Sequence, residues 1–172
     1  MDKPRIYVDL NEMVTETVIL FSKEDTKTDS DGNVVVLYDK MPVSIYSDDA
    51  SHTGETDYLL AEGIVIKYDL REYPRWKQVK WCVRIDRNSF MHESDLRLLL
   101  LLPIEIKKHP HDLGVLQKCL ISFKNQGMDR DAMLKNLEKL RAESDSGTED
   151  VLLELMDFVS GWCVPALSVY ES

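Results

Sequence analysis

The residues with the most chemical potential lie in four short stretches. In "HPHD", His109 and His111 stand beside Asp112, and His-x-His can hold a metal ion. No third or fourth ligand lies near them in sequence, so the pair reads as a loop before a helix. In "DTKTDSDGN", oxygen ligands crowd around Gly32, as in a calcium loop. Setting Gly32 at the sixth position puts Lys27 at the first and Tyr38 at the twelfth, where the loop needs an oxygen ligand and a glutamate. That stretch therefore reads as a hairpin turn. Three cysteines, Cys82, Cys119 and Cys163, are far apart and form no CxxC. They read as reduced core thiols, with neither a family-type cysteine signature nor a GxSxG elbow for covalent catalysis. The fourth stretch, "REYPRWKQVKW", interleaves Arg71, Arg75, Lys77 and Lys80 with Tyr73, Trp76 and Trp81. Cations for phosphates and rings for stacking make it the one candidate nucleic-acid platform. Glycine-rich phosphate loops are absent. The chain does not read as an enzyme, and no cofactor or metal is expected.

The elements that must position these residues change character along the chain. Residues 1–97 read as a β-rich module. Short strands are expected at Ile6–Val8, Val18–Phe21, Val34–Tyr38, Val43–Tyr46 and around Ile64–Tyr68. The clearest is "VKWCVRID", where Val79, Trp81, Val83 and Ile85 alternate with polar neighbours. Residues 98–112, "LLLLLPIEIKKHPHD", form a junction whose leucines fit a strand or a helical turn equally well. Residues 113–172 read as an antiparallel three-helix module. Asp112, Asp129 and Thr148 are the expected N-caps, and Gly127 and Gly161 the stops. The expected fold class is α+β: a small antiparallel β-barrel or curled sheet, then three helices.

Net charge is the most informative bulk property: 31 acids against 21 bases give −10 in 172 residues. The acids outnumber the bases in both halves, 19 to 13 over residues 1–98 and 12 to 8 over 99–172. Such a surface repels phosphate backbones and anionic membranes and suits a basic protein partner. The longest apolar run is far shorter than the roughly 20 residues of a membrane span. The start, "MDKPRIYVDLNEM", lacks a signal-peptide core, so a cytoplasmic location is expected.

The last expected helix sharpens the charge argument. Leu152, Leu155, Met156 and Val159 make its apolar stripe. Asp150, Glu154 and Asp157 fall at i, i+4 and i+7, an acidic row with no lysine partner at helical spacing. Glu149 joins the row at the first turn.

The order of features in "VLQKCLISFKNQGMDRDAMLKNLEKLRAES" and "EDVLLELMDFVSGWCVPAL" resembles the colicin D-type bacterial immunity proteins over residues 113–167. The shared features are a helix ending near Gly127, a leucine-spaced second helix and an acidic linker. A last helix then carries Asp157 ahead of Trp162, Cys163 and Pro165. The β-rich half has no counterpart in that family. The resemblance implies a small acidic protein that binds a nuclease toxin and blocks its active site. Glu149, Asp150, Glu154 and Asp157 are then the candidate contact charges and Trp162 the candidate anchor. Asp48, Asp49, Glu55 and Asp57, in the acidic loop of the β-rich half, are the other candidate contacts. The implied partner is a basic toxin domain, with no nucleic acid and no membrane. The alternative reading is a nucleic-acid- or ribosome-associated module built on the β-rich half.

Overall fold

Strand formation begins where β-branched and aromatic residues alternate with polar ones. A computed structural model of the chain describes residues 2–49, 54, 56–69 and 76–170. It is α+β, with a curled mixed sheet followed by four helices. Two compact units are present: Met1–Asp49 with Tyr58–Glu93, and Ala50–Asp57 with Ser94–Ser172.

The strands of the first unit are β1 (Ile6–Tyr7), β2 (Met13–Thr15), β3 (Val18–Ser22), β4 (Thr26–Thr28) and β5 (Val34–Val36). They continue with β6 (Pro42–Ser47), β7 (Leu59–Lys67), β8 (Trp81–Ile85) and β9 (Met91–His92). The main sheet runs β1-β6-β7-β8-β3-β2, with β9 added to β7, and β4–β5 form a separate hairpin. The expected all-antiparallel pairing is corrected at one place, because β1 runs parallel to β6. Register shifts in the β2–β3 and β3–β8 pairs bend the strands locally. The inner face buries Ile19, Phe21, Val43, Ile45, Val65, Trp81, Val83 and Ile85. Gly63 lies inside β7, where β8 approaches so closely that a β-carbon would stand 2.6 Å from Val83 Cγ1 and 2.7 Å from the Arg84 carbonyl oxygen.

The chain start is tied to this sheet through a nearly buried arginine, Arg5, which is 4% exposed. Its Nη1 donates to Glu62 Oε1 at 3.0 Å and its Nη2 to Asp2 Oδ1 at 3.0 Å. Ser44 donates to the other Glu62 oxygen at 2.7 Å, and Lys3 lies 3.1 Å from Oε1. Burial alone would raise the Glu62 pKa. The hydrogen bonds from Ser44 and Lys3 and the charges of Lys3 and Arg5 outweigh it, holding the carboxyl below its ordinary 4.5. A carboxylate with a lowered folded pKa contributes stability that is fully present above its unfolded pKa and is lost as pH falls through the folded one. Urea unfolding should therefore show stability declining below about pH 4.5. Glu62→Gln should weaken the protein at pH 7 and flatten that decline. An unchanged pH slope in Glu62→Gln would remove this cluster from the acid response.

The second unit has one helix more than expected. The stretch left open at 98–112 forms most of α1 (Glu93–Lys108), which buries Leu98, Leu102 and Ile106 at i, i+4 and i+8. Pro103 lies inside α1 on its exposed side. α2 (Leu113–Asn125) is capped by Asp112, whose side chain accepts from the Val115 N–H. α3 (Arg130–Ala142) is capped by Asp129 in the same way through Ala132. α4 spans Ser146–Ser160, and the cap expected at Thr148 is corrected to Asp145. The Asp145 carboxylate accepts from the Thr148 N–H, which places Thr148 inside the first turn. Gly161 closes α4 in the left-handed region at φ 86°. Leu116, Leu120, Phe123, Met133, Leu137, Leu152, Leu155, Phe158 and Val159 complete the core. The C-terminal segment is fastened to it. The Val169 N–H donates to the Phe158 carbonyl at 2.8 Å, and the Tyr170 hydroxyl donates to the Met128 carbonyl at 2.7 Å.

Candidate functional site

On α4, the core stripe dictates what remains outside. With Leu152, Leu155, Phe158 and Val159 buried, Asp150, Glu154 and Asp157 face solvent together, as the spacing predicts. Leu153 lies among them, 40% exposed. Glu149 is half-buried in the first turn, where the positive end of the helix dipole favours an acid. Among the described residues no ion pair reaches Glu149, Asp150, Glu154 or Asp157.

Two features of the row work against the helix that carries it. Asp150 and Glu154 are like charges at i, i+4. Asp157 sits in the last turn, near the negative end of the dipole, and no base lies in that turn. Each arrangement costs the helix a few tenths of a kcal/mol.

Past α4 the chain turns sharply. The Asp157 carbonyl accepts from both the Gly161 N–H at 2.9 Å and the Trp162 N–H at 3.0 Å. This turn throws the Trp162 indole into solvent at 84% exposure, followed by Val164 at 62%. A row of free carboxylates around an exposed leucine, ending at an exposed indole, matches the anchors and charges that protein interfaces use.

The acidic loop behaves differently from its expected role. Asp57 is half-buried and its two oxygens are committed, accepting from the Ser94 N–H at 2.9 Å and the Ser94 hydroxyl at 2.7 Å. It thus caps the start of α1 rather than standing free for a partner. Asp48 and Asp49 are exposed at the end of β6, and Glu55 lies outside the described residues. Asp48 belongs to a group that sequence reading missed. The rings of Tyr7 and Tyr46 pack edge to face at 5.5 Å, and those of Tyr46 and Tyr58 at 5.3 Å. Tyr7 and Tyr46 meet because they are register partners in the parallel β1–β6 pair. Partial burial and then the charge of the neighbouring Asp48 carboxylate raise the Tyr7 pKa. No local spacing signals this group, since its members are brought together only by strand pairing.

The remaining candidate chemistry is occupied by structure. Among the described residues no group of three or more His, Cys, Asp or Glu side chains could hold a metal ion. His109 lies 3.9 Å from Glu105 at the end of α1, and His111 is exposed in the turn before α2. Burial pushes the Cys82 thiol up to about 11, leaving it protonated at neutral pH. Burial, then the Glu105 charge, raises Cys119. In "DTKTDSDGN" the Asp29 carboxylate accepts from the Asp31 and Asn33 N–H groups and shapes the β4–β5 turn, with Gly32 at φ 86°. In the candidate nucleic-acid platform, Trp81 is 4% exposed and its indole N–H donates to Asp25. Lys80 is paired with that same Asp25, and Trp76 is packed near Val18 and Leu20. Arg71, Tyr73 and Arg75 lie outside the described residues. Among the described residues no helix is long and apolar enough to cross a membrane. Compared with protein families, curated proteins and solved structures, the chain has no match.

Proposed function

We propose that the chain is an immunity protein that acts in the cytoplasm by binding a basic toxin domain, a nuclease in the leading form of this reading. The observation that carries it is the unpaired row Asp150, Glu154 and Asp157, kept at some cost to α4 and ending at the exposed Trp162. A nuclease cleft is built to attract phosphates, and a row of carboxylates at helical spacing offers it a protein substitute. Long-range attraction between −10 and a basic surface speeds encounter and orients it. The indole then supplies the desolvated contact that slows release. Asp48, Asp49 and the tyrosine group are a second acidic–aromatic surface of the same type.

The test is co-expression with the toxin domain encoded immediately upstream. The expected result is an equimolar complex in which nucleolytic activity is abolished and cells survive. No complex and full toxin activity at equimolar protein, or an upstream gene without a toxin domain, overturns the reading.

A further inference from the structure

The β4–β5 hairpin carries an open strand edge that neither the core nor the acidic row explains. Its inner face is fastened to the sheet unit. Leu37 is buried, Val35 packs against the same cluster, and Lys27 donates to the Tyr7 carbonyl at 2.8 Å with its ammonium over the Phe21 ring. Its outer face presents Val34, Val36 and Tyr38, at 71%, 65% and 58% exposure. Three large apolar side chains at i, i+2 and i+4 on one uncovered strand face are unusual for a solvated hairpin.

The backbone shows what the edge lacks. Asn33 pairs with Asp29 (N–H of Asp29 to its carbonyl, 3.0 Å) and Leu37 with Asp25 (2.7 Å). With Val35 opposite Lys27, these are the hydrogen-bonded positions of the antiparallel pair. Val34 and Val36 therefore aim their N–H and C=O groups away from β4. Among the described residues neither receives a partner there. The spacing of two free donors and two free acceptors fits the backbone of one added strand.

The geometry points to β5 as a docking edge for an extended segment of the basic partner, which adds as a strand beside Val34–Val36. This rests on the immunity reading for the partner's identity, not for the edge itself. Charge selects the occupant. Asp31 and Asp39 are exposed at the two ends of the strand, and residues 29–40 carry three aspartates against Lys40 alone. An incoming strand with apolar side chains on the valine face and a lysine or arginine at each end pairs with both aspartates, of which Asp39 already accepts from the Lys67 N–H at 3.3 Å. A second copy fits less well. Antiparallel self-pairing about Val35 turns the Asp31 end of each strand toward the Asp39 end of the other, between two chains of −10.

The probe is a nine-residue peptide with lysine at both ends and alternating valine and threonine between them, blocked at its termini. Isothermal titration and amide NMR should give a micromolar complex, with shifts at the Val34 and Val36 amides. The same peptide with glutamate ends, or N-methylated at alternate amides, should bind at least tenfold more weakly. So should the intact chain carrying Val34→Lys and Val36→Lys, which are exposed positions where the fold is undisturbed. Absence of binding at millimolar peptide, or shifts confined to α4, overturns the proposal. A concentration-dependent dimer abolished by Val36→Lys also overturns it, by assigning the edge to a second copy. Peptide binding without any toxin complex would remove the immunity reading and keep the edge, and a toxin complex indifferent to the two lysines would do the reverse.

Discussion

Replacing Gly63 by alanine should destabilise the sheet unit by about 3 kcal/mol, the upper part of the usual overpacking range. The new methyl group would meet Val83 Cγ1 at 2.6 Å and the Arg84 carbonyl oxygen at 2.7 Å. A side-chain contact can be relieved by a rotamer change, but a backbone oxygen cannot move without opening the β7–β8 pair. Five residues of β8 are in register with β7 there, including Val65 with Val83 and Ile64 with Arg84. The gain from restricting the unfolded chain, up to about 1 kcal/mol, is too small to compensate. Gly147→Ala is the internal control. Its β-carbon would come no nearer than 3.7 Å to Asp145 Oδ1, in the first turn of α4, and helix propensity should make it neutral or mildly stabilising. Urea unfolding of both variants checks the pair. A Gly63→Ala midpoint within error of the parent would show that the two strands separate freely and that the close approach carries no energetic weight.

The largest functional effect is expected from reversing two charges on α4. The double variant Glu154→Lys and Asp157→Lys should slow association with the basic toxin domain by about 10- to 100-fold at low salt. The difference should shrink as salt rises, since the screening length falls to about 3 Å at 1 M. Dissociation should change much less, because exposed charges act mainly on encounter. Trp162→Ala should show the opposite split, with faster release and nearly unchanged association. The folding stability of the charge variant separates this account from a structural one. Asp157→Lys places a cation at the negative end of the α4 dipole and should raise stability by a few tenths of a kcal/mol. Weaker association together with firmer folding is the outcome that a contact role demands. Unchanged association in stopped flow at low salt would eliminate the acidic row as the docking face.

Local chemistry made much of this fold legible. The strands at Val18–Ser22 and Trp81–Ile85 announce themselves by β-branched and aromatic content. The caps at Asp112 and Asp129 and the stop at Gly161 follow from side-chain hydrogen bonding and from the freedom of glycine at positive φ. What stayed hidden depends on residues distant in sequence. The run of leucines from Leu98 to Leu102 obscures helical period, and α1 takes N-terminal hydrogen bonds from Asp57, 37 residues upstream of Ser94. No inspection of residues 90–100 could find that cap. The parallel β1–β6 pair, and with it the tyrosine group, is hidden for the same reason. The acidic row was legible because it needs only helix geometry, whereas the open edge of β5 was not. Periodicity identified its strand, but which face of "VVVLY" finds a cover is settled by the rest of the unit.

The turn that ends α4 also sets a rule about spacing. Asp157 contributes its side chain to the exposed row and its carbonyl to the hydrogen bonds that fix Gly161 and Trp162. One residue thus anchors both a charge and the ring beyond it, like two teeth cut on a single key. A recognition surface of this kind cannot drift one feature at a time. Inserting a serine between Ser160 and Gly161 keeps the net charge and leaves Leu152, Leu155, Phe158 and Val159 at their core positions, yet discards the fixed separation that a matching partner would have to read. Lineages that keep a common partner should therefore conserve the length of this turn more strictly than the identity of Ser160 or Val164 within and beyond it.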